Sequence, residues 1–254
     1  MFRPRIIPVL LLKNQGLVKS VKFKNHRYIG DPINAVRIFN DLQADELVFL
    51  DILAGRENRT VSLDFVKRVG EEANMPFSVG GGIKTTEQIA RIIAAGAEKV
   101  VIGSEAAANP GFIREAAERF GSSTIAVCMD VKHTFFGKPK VRIQNGRLNT
   151  GHHPAEFAQS MEQNGAGELI VQSIDGDGTM EGYDLELIKE ISGAVTIPVV
   201  ALGGAGSLND MEEAWHKGYA TALAAGSLFV YHGSRRAVLV NYPEPFEKNN
   251  LFQR

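Results

Sequence analysis

The chain has 254 residues, of which 44% are hydrophobic and 22% charged, a composition typical of one globular domain with a single large core. Its 28 basic residues nearly balance its 29 acidic ones, so we expect no basic face for nucleic acid. A single cysteine, Cys128, excludes an intrachain disulfide and a cysteine-based zinc site. No apolar run is long enough to cross a membrane, and no signal peptide is expected, so the sequence predicts a cytoplasmic protein.

Short apolar runs recur along the chain. Because they are continuous rather than alternating, they are typical of strands buried on both faces of a parallel sheet. In chain order the predicted strands are Ile6–Leu12, Leu47–Leu50, Pro76–Val79, Val100–Ile102, Thr124–Met129, Leu169–Val171, Ile197–Leu202 and Thr221–Ala225.

Amphipathic segments of helical length separate the predicted strands. The first opens at Asp31-Pro32, an N-cap followed by a proline suited to the first helical position. The others are Thr85–Ala95, Asn109–Phe120, Pro154–Asn164, Asp184–Ile191 and Ser207–Lys217. Eight strands alternating with helices predict an α/β fold, a single (β/α)₈ TIM barrel spanning residues 1–254, with a doubly wound open sheet as the alternative.

An internal repeat favours the barrel. Asp51 stands 30 residues before Gly81, and Asp175 stands 29 residues before Gly204. Further along, Gly103-Ser104 begins 22 residues beyond Gly81, and Gly226-Ser227 begins 22 residues beyond Gly204. The repeat predicts two (βα)₄ half-barrels that close into one domain.

A TIM barrel builds its site where the strands end, at their carboxyl edge. Asp130 ends the fifth predicted strand and is the candidate general acid or base, unless it merely caps the next helix. Glycine turns that open onto helix N-termini suit phosphate, or they only permit tight turns; one set in each half implies a ligand with two anionic ends. The candidate substrate and phosphate residues are Lys19, Asp51, Gly82, Gly103, Ser104, Asp177, Gly178, Gly204, Ala225, Gly226 and Ser227.

Other segments near this edge give weaker signals. Asp177 either orients a substrate hydroxyl or fixes its own turn. The basic, glycine-punctuated segment 133–153 is predicted to be a long loop and a mobile lid. His152 and His153 lack partners at metal-ligand spacing, and no metal or cofactor is predicted.

The opposite end of the barrel carries four charges. Each of them stands immediately before an apolar strand, at Arg5, Glu46, Lys99 and Glu168. Two cations and two anions at equivalent positions predict a charged ring across the barrel floor. Such a ring either only neutralises itself, with little effect on stability, or acts as a gate for a small neutral molecule.

Motifs along the whole chain resemble those of the HisF-like barrels, the cyclase subunit of imidazole glycerol phosphate synthase. The resemblance rests on segments that include Arg5–Pro8, Asp45–Asp51, Gly80–Ile83, Gly165–Glu168, Asp177–Thr179 and Gly203–Gly206. It implies addition of ammonia to a ribulosyl aminoimidazole carboxamide nucleotide, a phosphorylated small molecule. It also implies a HisH-like glutaminase partner that docks on the floor, and it makes the four-charge ring an ammonia gate.

The departures from this family lie on the substrate side. Of its two catalytic aspartates, the second matches Asp130, but the first falls on Leu11, which can neither accept nor donate a proton. Val9, Gly103 and Gln172 stand where the family usually has cysteine, asparagine and threonine. The sequence therefore predicts a poor cyclase.

Two segments, Leu10–Lys19 and Gly226–Gly233, resemble a branch of these barrels that accompanies sugar amidotransferases in surface-polysaccharide gene clusters. This resemblance implies ammonia supply for acetamido-to-acetamidino conversion, with a sugar amidotransferase as a further partner, and it is the preferred interpretation. The alternative is the cyclase of histidine biosynthesis, and a non-catalytic scaffold barrel is the third hypothesis.

Overall fold

The structure is a computed structural model that describes residues 3–135, 137–233 and 235–252. In chain order its strands are β1 (Arg5–Lys13), β2 (Gly16–Val21), β3 (Lys24–Gly30), β4 (Leu47–Asp51), β5 (Phe77–Gly80), β6 (Lys99–Ile102), β7 (Ile125–His133), β8 (Pro139–Ile143), β9 (Leu148–Asn149), β10 (Glu168–Ser173), β11 (Val199–Leu202), β12 (Ala222–Ala225), β13 (Tyr231–His232) and β14 (Ala237–Val238). The helices are α1 (Pro32–Asp41), α2 (Leu63–Glu72), α3 (Thr86–Ala94), α4 (Ser104–Ala108), α5 (Pro110–Phe120), α6 (Pro154–Gln163), α7 (Leu185–Ala194), α8 (Leu208–His216) and α9 (Pro245–Leu251).

Eight parallel strands close into a barrel, which confirms the predicted TIM barrel. Their order around the barrel is β1, β4, β5, β6, β7, β10, β11 and β12. Closure is completed where β12 pairs in parallel with β1, with Ala222 beside Arg5. The two predicted half-barrels meet where β6 pairs with β7 and where β12 pairs with β1. Within the second half, β7 pairs with β10, and this pairing sets Asp130 beside Gln172.

Side chains alternate along each strand, and this alternation divides the core into two layers. On β1, Ile6 and Leu10 belong to the cluster between barrel and helices, whereas Ile7 and Val9 belong to a second cluster inside the barrel. The inner cluster contains small residues such as Ala126 alongside the branched ones. Strands buried on both faces explain why the sequence shows unbroken apolar runs.

The helix starts repeat between the two halves. Thr85 and Ser207 occupy equivalent places before α3 and α8, and each closes a capping box by accepting a hydrogen bond from the third residue of its helix. The predicted cap at Asp31 also forms, since its carboxylate accepts from the backbone N–H of Asn34 at 2.9 Å. These caps set where each helix begins after the glycine turns.

The prediction of a loop over residues 133–153 is wrong. Strand β7 continues to His133 and pairs antiparallel with β8, which in turn pairs with β9. The turn between β8 and β9 holds Gln144 and Asn145 at positive φ before Gly146, as a tight hairpin requires. The Asn145-Gly146 pair is a hairpin signal that the sequence analysis did not use.

Other elements without a sequence prediction are the hairpins β2–β3 and β13–β14 and the helices α2, α4 and α9. Strand β3 is mostly exposed and polar, so it lacks the apolar run that identified the barrel strands. Within the residues that the structure describes, no helix combines the length and apolar character needed to cross a membrane.

Candidate active site and barrel floor

A cavity of about 540 Å³ opens where the barrel strands end. Its wall is formed by the ends of β1, β4, β6 and β7, the turns that follow them, and the tip of the β8–β9 hairpin. The predicted site residues that line this cavity are Asp51, Gly82, Gly103, Ser104, Asp130 and Asp177. The carboxyl edge of the barrel is therefore where these residues meet, as the fold predicts.

Asp130 lies near the end of β7 with its side chain facing this cavity. Its carboxylate accepts a weak hydrogen bond from the Cys128 thiol, whose sulfur lies 3.9 Å from Oδ1. Burial and the charge of Asp177 together raise the pKa of Asp130 to about 7. Burial also raises the pKa of the Cys128 thiol, so the thiol stays protonated beside the carboxylate. A carboxyl group that titrates near neutral pH can serve as a proton donor or acceptor there.

Asp177 lies in the turn after β10 and holds the β2–β3 hairpin. Its Oδ2 accepts hydrogen bonds from the Ser20 hydroxyl at 2.7 Å and from the backbone N–H of Phe23 at 3.0 Å. Burial raises the pKa of Asp177, although these two hydrogen bonds and the charge of Lys19 oppose the rise. The turn-fixing role weighed in the sequence analysis is thus present, and the carboxylate still borders the cavity.

Leu11 occupies the end of β1 and pairs in register with Leu50 on β4 and Val18 on β2. It lines the large cavity and also a smaller one of about 30 Å³ under the second set of glycine turns. Gln172 and Asp177 line both cavities as well. The end of the first strand therefore presents an apolar side chain at the middle of the site.

The smaller cavity brings together the predicted phosphate residues of the second half. These are Lys19, Gly178, Gly204, Ala225, Gly226 and Ser227. Gly204 has a φ of +113°, and a side chain there would meet the carbonyl of Gly182, so the turn requires glycine.

Lys19 is 5% exposed and extends from β2 into this part of the site. Its Nζ donates a hydrogen bond to the Val9 carbonyl at 2.6 Å and would stand 2.5 Å from a Cβ atom built on Gly226. Burial lowers the pKa of Lys19 to about 8, with Asp177 opposing the change. An anion bound at Gly226 would therefore meet a cation as well as backbone N–H groups.

The first-half turns line the large cavity beside two cations that the sequence analysis missed, Arg56 and Lys84. The Ser104 hydroxyl already accepts a hydrogen bond from the Gln144 N–H at 3.0 Å, because the β8–β9 turn reaches across the cavity mouth. The same turn donates from Asn145 Nδ2 to the Ile52 carbonyl at 2.8 Å. The β8–β9 hairpin thus forms a roof over this half of the site.

Asp51 has a local structural role in addition to lining the cavity. Its Oδ1 accepts from the backbone N–H groups of Leu53 and Ala54, and its Oδ2 pairs with Arg59 at 2.5 Å. This carboxylate is therefore already satisfied within its own turn.

The charged ring predicted for the barrel floor is present. Arg5 contacts both Glu46 and Glu168 through its two terminal nitrogens. Lys99 Nζ lies 3.2 Å from Glu168 and 3.6 Å from Glu46, so each glutamate touches both cations. Ser78 donates a further hydrogen bond to Glu46 at 3.0 Å; its place on the inner face follows from strand alternation, but the sequence analysis did not include it.

The inner apolar cluster separates the floor ring from the upper cavity. It is formed by Ile7, Val9, Val48, Val101, Ala126, Ile170, Val200, Leu202, Ala222 and Ala224, with Leu11, Leu50 and Cys128 packed against it. Along the barrel axis the order is therefore a neutralised charge layer, an apolar layer, and the cavity that contains Asp130.

No group of three or more His, Cys, Asp or Glu side chains within residues 3–135, 137–233 and 235–252 has the arrangement needed to hold a metal ion. His153, singled out in the sequence, instead lies 3.3 Å from Glu190 on α7.

The sequence profile of the family described as "Histidine biosynthesis protein" matches residues 5–235. A Leptospira interrogans protein, provisionally named imidazole glycerol phosphate synthase subunit HisF, is 46% identical over 253 residues, covering 99% of this chain and 100% of that protein. A Pseudomonas aeruginosa protein with the provisional name of the same subunit, hisF2, is 45% identical over 244 residues, or 96% and 97% of the two chains. An Alkaliphilus metalliredigens protein named imidazole glycerol phosphate synthase subunit HisF is 46% identical over 232 residues, or 91% and 92%.

The raised pKa of Asp130 predicts that this residue costs stability at neutral pH. Because the folded chain holds the proton more tightly than the unfolded chain, stability falls as the pH rises from about 4 through about 7. We expect Asp130→Asn to raise the free energy of unfolding at about pH 8 by up to about 4 kcal/mol, and to change it little near pH 4.

Urea denaturation at both pH values measures this difference. The matched control is Asp51→Asn, which removes a cavity carboxylate that is already ion-paired with Arg59 and should not stabilise the chain. Equal stability of Asp130→Asn and the unmodified chain at about pH 8 would contradict the prediction.

Proposed function

Because the chain belongs to the histidine biosynthesis family as a HisF-like barrel, we propose that it is the synthase subunit of a glutamine amidotransferase complex. In this proposal ammonia enters at the barrel floor and reacts with a phosphorylated acceptor in the upper cavity. The observation that carries this proposal is that one barrel combines a neutralised floor ring with a cavity that contains a titratable carboxyl group.

The floor ring suits the passage of a small neutral molecule. Glu46 and Glu168 are almost fully buried, and each is held by both Arg5 and Lys99, so an entering cation or anion finds no unpaired charge. The apolar layer above the ring disfavours charged species further, because an ion would lose its hydration there. Neutral ammonia suffers a much smaller penalty than ammonium on this route.

The proposed partner is a HisH-like glutaminase that docks on the floor. The relatives are named as subunits, which supports a partner chain, and the family resemblance implies that ammonia is supplied on the floor side. Glutamine hydrolysis there would release ammonia directly beneath the ring of Arg5, Glu46, Lys99 and Glu168.

The names of the relatives favour the ribulosyl aminoimidazole carboxamide nucleotide as acceptor, with imidazole glycerol phosphate as a product. They support this alternative of the sequence analysis better than the preferred sugar interpretation. The two glycine-turn sets, one with Lys19 and one with Arg56 and Lys84 nearby, lie on opposite sides of the cavity region and suit the two phosphate ends of such a nucleotide.

A second candidate acceptor is an acetamido sugar of surface polysaccharide, with a sugar amidotransferase as third partner. The specific observation that favours it is Leu11, an apolar residue at the centre of the site where cyclases of this family have an aspartate. In that case the barrel would chiefly conduct ammonia.

Lys99→Ala tests the floor ring as an ammonia route. We expect the variant to fold, since Arg5 still contacts both glutamates, and to lose glutamine-dependent product formation more strongly than ammonium-dependent formation. Product formation by the complex with each nitrogen source is the measurement. Lys67→Ala, which removes an exposed lysine on α2, is the control and should leave both rates unchanged. Equal losses with glutamine and with ammonium would count against the gate.

The acceptor is tested by supplying the ribulosyl nucleotide with saturating ammonium. We expect imidazole glycerol phosphate to form, but more slowly than in a family member with aspartate at both positions, because Leu11 can neither accept nor donate a proton at the end of β1. Leu11→Asp should recover little of this rate, because its apolar neighbours raise the pKa of the new carboxyl group and the substrate side differs at Gly103 and Gln172.

Complete absence of imidazole glycerol phosphate would remove the ribulosyl nucleotide as acceptor. Glutamine-dependent amidination of a supplied acetamido sugar nucleotide, in the presence of the sugar amidotransferase, would then establish the second candidate.

A further inference from the structure

The cavity contains a second carboxylate close to the place where the family resemblance leads one to expect an aspartate. Leu11 occupies that place, and Asp177 borders both cavities that Leu11 borders. We propose, on the basis of the proposed function, that Asp177 supplies the second acid–base group of this site and works with Asp130 as a coupled pair.

The hydrogen bonds of Asp177 leave one oxygen available for this role. Ser20 and the Phe23 N–H both donate to Oδ2, and this fixes the plane and position of the carboxylate. Among the residues that the structure describes, no hydrogen bond is directed at Oδ1. An acid–base group needs this combination of a fixed position and a free oxygen.

Asp130 is available in the same way. Apart from the Cys128 thiol at 3.9 Å, no described side chain or backbone N–H donates to its carboxylate. Its neighbour in register is Gln172, whose Nε2 donates to the Ser173 carbonyl instead. Asp130 and Asp177 therefore face one cavity, each with an oxygen free for a ligand.

The charges around the pair do not neutralise it by direct contact. Lys19 acts electrostatically on Asp177, but its hydrogen bond goes to the Val9 carbonyl, and His26 also acts on Asp177 without a hydrogen bond. The other charged side chains on the cavity wall are Asp51, which is paired with Arg59, together with Arg56, Lys84 and Glu105. Two carboxylates that face one cavity repel each other when both are ionised.

This repulsion favours a state with one proton on the pair near neutral pH. Burial and Asp177 raise the pKa of Asp130 to about 7, and burial raises the pKa of Asp177 as well. Two hydrogen bonds to Oδ2 and the charge of Lys19 favour the ionised form of Asp177, so we place the shared proton on Asp130 in the resting site. The pair resembles in principle other sites in which two coupled carboxyl groups divide the acid and base roles.

Such a pair suits the addition of ammonia to the ketone of a ribulosyl acceptor. As the ammonia nitrogen forms a bond to the carbonyl carbon, Asp130 gives its proton to the carbonyl oxygen and Asp177 takes a proton from the nitrogen. The product is a neutral carbinolamine. Asp177 then returns a proton to the hydroxyl group, which leaves as water, and Asp130 takes a proton from the nitrogen, so that an imine forms and both carboxyl groups regain their first state.

The coupling is measurable without any acceptor. In the intact chain, the carboxyl-¹³C resonance of Asp130, identified by its loss in Asp130→Asn, should titrate with a midpoint of about 7. In Asp177→Asn we expect this midpoint to fall by on the order of one pH unit, because the like charge is gone while burial remains. Asp51→Asn is the matched control and should leave the midpoint in place, since Arg59 already neutralises that carboxylate.

An unchanged Asp130 midpoint in Asp177→Asn would overturn the proposal. If Asp177→Asn does not fold, the reciprocal measurement decides, since coupling requires that Asp130→Asn lower the midpoint of Asp177 too. An unchanged Asp177 midpoint in that variant would equally overturn the proposal.

Turnover gives the second readout. With the ribulosyl nucleotide and saturating ammonium, Asp177→Asn and Asp130→Asn should each lower kcat by roughly 10²–10⁴, and the double variant should lose little more than either alone. Unaltered kcat in Asp177→Asn would overturn the catalytic role. Absence of turnover in the intact chain would instead reject the proposed acceptor, while the titration would still establish or refute the pair.

Discussion

The strict alternation of side chains along eight parallel strands is the constraint on which the site depends. On β1, every second residue points into the barrel, which places Arg5 at the floor, Ile7 and Val9 in the middle and Leu11 at the top. Neighbouring strands repeat the pattern, so the four charged side chains contact one another at one level and apolar side chains pack together at the next. A one-residue slip of β1 would turn Arg5 out of the ring and toward the apolar contacts between barrel and helices.

The same constraint explains the electrostatics at the two ends. At the floor, Glu46 and Glu168 remain buried because Arg5 and Lys99 stand at the same level and each contacts both of them. At the top, Asp130 has no such partner among the residues that the structure describes, and its proton is held by burial and by a second carboxylate. The folded chain thus loses stability at the position of the proposed acid–base chemistry, as is common in active sites.

Much of this arrangement was predictable from the sequence. Continuous apolar runs predicted the eight barrel strands, because burial on both faces leaves a clear pattern. The four charged residues that stand immediately before apolar strands predicted the floor ring. The hairpins were missed because β3 and β8 are polar and partly exposed, so they lack that pattern. Contacts such as that of Lys19 with the Val9 carbonyl depend on how the β2–β3 hairpin folds back over the barrel, which no local pattern encodes. The choice of acceptor was also beyond the sequence, and the relatives shift it toward the cyclase reaction.

The proposed function depends on the passage of ammonia along the barrel axis from floor to cavity. The direct measurement is product formation by the complex of this chain with a HisH-like glutaminase, supplied with glutamine labelled with ¹⁵N at the side-chain amide and with excess unlabelled ammonium. Passage through the barrel predicts that the nitrogen added to the acceptor remains mostly ¹⁵N, because the ammonia never mixes with the solvent. Dilution of the label to its share of the free ammonia in solution would contradict the account.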